Sequence, residues 1–80
     1  MTQYYFDLRS DRAFSKDDEG INLRDADAAH QQALNALADL ARDAVLEGST
    51  NQHFAIEVRD GIGRVLEVTA SYNSRIFRTQ

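Results

Sequence analysis

The sequence predicts an α+β domain in which one helix packs on one face of an antiparallel sheet of three to four strands, in the order β-β-α-β-β. Three observations predict it. The run from Asp25 to Gly48 is an amphipathic helix with its own start and stop signals. The segments on either side alternate apolar and polar residues with a period of two. Turn-forming clusters, Asp17-Asp18-Glu19-Gly20 and Asp60-Gly61-Ile62-Gly63, divide those segments into strand lengths.

The first strand is residues 3 to 9, where Tyr4, Phe6 and Leu8 form the apolar set and Tyr5, Asp7 and Arg9 the other. Ser10-Asp11-Arg12 is a turn, after which Ala13 to Lys16 pairs back as a short second strand. Ile21 and Leu23, two apart, form a brief extended piece that delivers the chain to the helix. Asp25 is the natural N-cap, with Asp27 adding negative charge at the positive helix end. Ala33, Leu34, Leu37, Leu40, Ala41, Ala44 and Val45 recur at three- and four-residue intervals and predict the buried stripe. Gln31, Gln32, Asn35, Asp39, Arg42 and Asp43 form the opposite face, and Gly48 sits where a left-handed residue ends a helix.

Beyond the polar linker Ser49 to Gln52, Phe54, Ile56 and Val58 alternate against His53, Ala55, Glu57 and Arg59. Asp60 to Gly63 reads as a hairpin loop, with the glycines free to take positive φ. On the return strand Leu66, Val68 and Ala70 face the core, leaving Val65, Glu67 and Thr69 outward. Tyr72, Ile76 and Phe77 make residues 71–80 too apolar for an idle tail: either they pack along a sheet edge or they contact another molecule. Residues 1–80 read as one small domain.

Composition narrows the function classes. The net charge is −4, with −3 in residues 1–27, −2 in residues 28–48 and +1 in residues 49–80. That balance repels phosphate backbones, so bulk nucleic-acid binding is not expected. There is no Cys, hence no disulfide framework and no thiolate metal site. No segment has the apolar length of a signal peptide core or a membrane span, so a cytoplasmic protein without membrane association is the expectation.

No motif in the chain specifies catalysis. The serines fall in turn or tail contexts, there is no Gly-x-Ser-x-Gly elbow, and Gly61-Ile62-Gly63 lacks the third glycine and the helix of a dinucleotide fingerprint. The acidic turn does not have the ligand spacing of an EF-hand loop, and His30 and His53 lack a third ligand nearby in the sequence. Neither a cofactor nor a metal is therefore expected.

Tyr4-Tyr5-Phe6-Asp7-Leu8-Arg9, Asp18-Glu19-Gly20 before Leu23 and Asp25, the Ala28-Ala29 helix start, and Ile56-Glu57-Val58-Arg59-Asp60 followed by Arg64-Val65-Leu66 resemble a family of short alphaproteobacterial proteins. That family is catalogued as a domain of unknown function. The resemblance covers about residues 4 to 69; it implies a bacterial cytoplasmic origin and supplies no activity. The order of elements is more loosely similar to the small partial RNase-H-like domain of HicB-type antitoxins, which implies a toxin-capturing role.

The resulting expectation is a non-catalytic protein-interaction module that binds a protein partner or itself as a homodimer, because a sheet covered on one side has a second face and free edges. Tyr5, Val65, Tyr72 and Phe77 are the candidate interface residues. The alternative is an antitoxin-like regulator that captures a small basic partner through Asp11, Asp17, Asp18 and Glu19. A small-molecule binder or enzyme with a site at a dimer interface is a third, weaker reading.

Overall fold

The computed structural model describes residues 1–79. Its elements are β1 (Thr2–Ser10), β2 (Phe14–Ser15), β3 (Ile21–Leu23), α1 (Ala26–Leu46), β4 (Asn51–Arg59) and β5 (Arg64–Asn73). All strand pairs are antiparallel, in the order β2-β1-β4-β5, with β3 also on β1. The α+β class is as predicted. Five strands appear rather than three to four because the Ile21–Leu23 piece pairs as a strand in its own right, opposite Thr2, Gln3 and Tyr4. The second strand shrinks to Phe14–Ser15, opposite Leu8 and Arg9, so the two short strands share one edge of β1.

The helix begins and ends on local chemistry. The Asp25 carboxylate accepts from the Ala28 N–H at 2.9 Å. At the other end Gly48 takes φ 82°, allowing its N–H to reach the Val45 carbonyl at 3.1 Å and the Ser49 N–H to reach that of Ala44 at 3.3 Å. The Tyr72 hydroxyl lies 2.5 Å from the Ser49 carbonyl and 3.1 Å from that of Ala44, fastening β5 to this terminus.

The core lies between α1 and the face bearing Tyr4, Ile56, Val58 and Val68. Ala29 and Ala33 are fully buried, which lets the helix approach the sheet closely, while Leu37 fills the space beyond them. Leu34 and Val45, predicted in the buried stripe, are exposed. The helix meets the sheet along Ala29, Ala33, Leu37 and Ala44, leaving those two on the margins of the contact.

The sheet corrects three further expectations. Val65 was predicted outward but packs against the core, because the register shifts where Val58 opposes Leu66 and Arg59 opposes Arg64, making Val65 the extra residue of a bulge. Ala55 does lie on the helix-free face, yet it is buried, a small side chain between Arg9 and Thr69. Neither Gly61 nor Gly63 has positive φ: the Asp60 carboxylate closes the turn by accepting from Ile62 N–H at 2.8 Å and Gly63 N–H at 3.0 Å. In the tail, β5 runs on through Asn73 and the Ser74 N–H bonds the Thr50 carbonyl at 2.6 Å, after which Arg75 to Thr79 are exposed.

Candidate functional site

Two places concentrate chemistry. The first is a polar hub on the helix-free face. Asp7, mid-strand in β1, is only 6% exposed because the loop between β2 and β3 folds over it. Its carboxylate accepts from Arg59 Nε at 2.9 Å and from the Asp17 N–H at 2.9 Å. Arg59 also donates to the Asp17 carbonyl at 2.8 Å and lies 4.5 Å from the centre of the Tyr5 ring. The Asp17 carboxylate in turn accepts from the N–H groups of Phe6, Glu19 and Gly20 at 3.0, 3.0 and 3.1 Å.

Asp17 thus supplies the bond that β1 would otherwise take from a neighbouring strand in the gap between β2 and β3. Burial pushes the Asp7 carboxyl up, but the hydrogen bonds from Arg59 and Asp17 and the Arg59 charge outweigh it, leaving it below the ordinary carboxylate range. For Asp17 the Phe6 N–H lowers the pKa most; with the other N–H donors it outweighs burial. Carboxylates held ionised this way are weak general acids and bases near neutrality, so the hub reads as a staple joining β1, the loop and β4.

The second place is a groove beside the helix. Because α1 packs chiefly over β4 and β5, it covers Tyr4 of β1 but leaves Phe6 and Leu8 only half-buried. A trough of about 340 Å³ results, with Phe6, Leu8, Ile56, Ala36 and Leu40 as its walls and Asp39 and Asp43 at its rim. It continues past Leu40 and Asp43 to Phe54, Gln52 and Glu47. Asp39, Asp43 and Glu47 stand four residues apart, and among the described residues none of them is in an ion pair. The last turn of α1 contains no base. Asp43 and Glu47, at that last turn, oppose the helix dipole at about 0.3–1 kcal/mol each, so helix stability alone does not account for them.

The predicted interface residues are not brought together. Tyr5 is half-buried beneath Arg59, Val65 sits in the bulge, and Tyr72 is half-buried at the helix end. Phe77 is 87% exposed, with Arg75 5.9 Å from its ring centre. Of the predicted acidic contacts, Asp11, Asp18 and Glu19 are exposed, whereas Asp17 is occupied within the hub. Sequence reasoning missed Asp39, Leu40, Asp43 and Glu47 as a unit. Their signal was the four-residue acidic spacing at the helix end where bases are favoured. Among the described residues no three His, Cys, Asp or Glu side chains gather as a metal site, and no helix is long and apolar enough to cross a membrane.

A single helix over one face of a small antiparallel sheet, with a stapled opposite face and an open acidic-rimmed groove, defines a small α+β domain. The chain belongs to the family described as a domain of unknown function, DUF6894, whose model matches residues 3–71. No curated protein and no solved structure matches it, and the looser likeness to HicB-type antitoxins finds no counterpart in these comparisons.

Proposed function

We propose that the chain is a non-catalytic protein-interaction module whose docking surface is the groove between α1 and β1. The observation that carries this reading is the apolar trough of about 340 Å³ beneath a row of unpaired carboxylates. The chemistry suits a segment with one or two apolar side chains flanked by Arg or Lys. Burying apolar side chains against Phe6, Leu8 and Leu40 supplies most of the affinity, at roughly 25 cal/mol per Å². Exposed ion pairs to Asp39, Asp43 and Glu47 add about 0.2–1 kcal/mol each and chiefly set orientation and encounter rate.

A basic partner is also what the antitoxin-like alternative requires. The α1 row is the better surface for it: it adjoins an apolar floor, whereas Asp11, Asp18 and Glu19 stand among exposed residues. The test places a photo-crosslinking side chain at position 39, with position 31 on the outer helix face as control, in cells that make the protein. Adducts specific to position 39, mapping to apolar segments flanked by Arg or Lys and lost in Leu40→Glu, are expected. Equal labelling at the two positions would refute the docking surface.

A further inference from the structure

We infer that the groove is occupied by the Arg75–Arg78 arm of a second copy of this chain, each protomer of a two-fold dimer inserting its arm into the other. This rests on the groove being the docking surface. The arm, Arg75-Ile76-Phe77-Arg78, carries the chemistry the groove lacks: two apolar side chains, 69% and 87% exposed, between two arginines. Among the described residues neither arginine is in an ion pair, just as the three carboxylates of the rim are not. Ile76 and Phe77 fit the floor formed by Phe6, Leu8 and Leu40, while Arg75 and Arg78 meet Asp39 and Asp43. Cations at that position also offset the negative charge crowded at the C-terminal end of α1.

Chain reach selects a second copy over the arm's own groove. Ser74 is held to Thr50 by the 2.6 Å bond from its N–H. Thr50 precedes β4, and Ile56, which lines the groove with Phe6 and Leu8, lies six residues further along the strand, about 20 Å away at the rise of a β-strand. From Ser74 to Phe77 is three residues, which span at most about 11 Å fully extended. Phe77 therefore falls short of Ile56 in its own protomer, and at 87% exposure it does not lodge against the nearer Phe54 end either. In a two-fold pair the contact is made twice, so the dimer closes and each arm strengthens the other. The arm lies beyond residues 3–71 that the family model matches, so it adds to the shared domain without being part of its core.

The decisive experiment is sedimentation equilibrium on the full chain and two charge-reversed variants, Arg75→Glu/Arg78→Glu and Asp39→Arg/Asp43→Arg. The wild type is expected to dimerise with concentration, each variant alone to weaken dimerisation at least tenfold, and an equimolar mixture of the two to regain it, because mixing restores opposite charges at both contacts. Phe77→Asp, at an exposed position, is expected to leave the circular dichroism of the fold unchanged and to weaken the dimer by a similar factor. A wild type that stays monomeric to millimolar concentration, or a dimer indifferent to both arm and rim substitutions, would overturn the inference. So would a photo-crosslinker at position 77 that joins only atoms of one chain in mixed ¹⁴N and ¹⁵N samples. Failure here is separable from failure of the docking reading: a monomer that still gives groove-specific adducts with other proteins sinks only the arm exchange, while a monomer that gives no groove-specific adduct with any protein, a second copy included, sinks both.

Discussion

Replacing Asp7 by alanine is expected to destabilise the domain by about 2–3 kcal/mol, although Asp7 lies on the face without a helix. The substitution removes both charge-assisted bonds to Arg59 and leaves the Asp17 N–H without its acceptor. Breaking a fully buried ion pair costs about 3–5 kcal/mol. The Arg59 side chain, however, is 26% exposed and keeps the Asp17 carbonyl and the Tyr5 ring, which lowers the expected cost. An orphaned N–H adds back about 1 kcal/mol. Against a total of about 4–12 kcal/mol for a chain of this size, the loss is large, and the melting temperature should fall by roughly 10–20 °C. Urea unfolding followed by circular dichroism reads it directly, with the slope unchanged if the native state stays compact. Arg59→Met and the double variant complete a cycle, with an expected coupling of about 1–3 kcal/mol. A loss below about 1 kcal/mol, or strict additivity of the two changes, would refute the staple.

Two other perturbations read different features. Gly20→Ala should cost about 2–4 kcal/mol, since φ is 75° and a Cβ would stand 2.9 Å from the Tyr4 carbonyl oxygen, whereas Gly48→Ala, at φ 82° in open space, should cost only about 1 kcal/mol; equal losses would contradict the packing around Gly20. Acid should unfold the protein in a defined direction: Asp7, Asp17, Asp25 and Asp60 all have folded pKa values below their unfolded ones, so their stabilisation is complete above the unfolded value of about 3.9 and is lost as pH falls through the folded values. The unfolding free energy should be level from about pH 5 to 8 and fall below that, with a shallower fall in Asp7→Ala; a rise between pH 5 and 3 would invert the sign and refute it.

What the sequence determined by itself is whatever rests on neighbours in the chain. The caps at Asp25 and Gly48 are bonds across a few residues, so helix length was legible, and the period-two runs around Phe6, Ile56 and Val68 sorted each strand into two faces. The closure of the turn at Asp60 was likewise local, although its carboxylate rather than glycine backbone freedom makes it. Tertiary structure alone decided the rest. Asp17 looked like a solvated acid because its partners, Phe6 N–H and the Asp7–Arg59 pair, lie 11, 10 and 42 residues away. Val65 turned inward through a bulge, and bulges carry no periodic signature. Leu34, Val45 and the groove depend on where the helix rests: apolar spacing shows that α1 has a face to bury, but only its placement over β4 and β5 exposes those margins and opens Phe6 and Leu8 beneath Asp39 and Asp43. Periodicity fixes the direction in which a side chain points, and the contact at that end is set by elements distant in sequence.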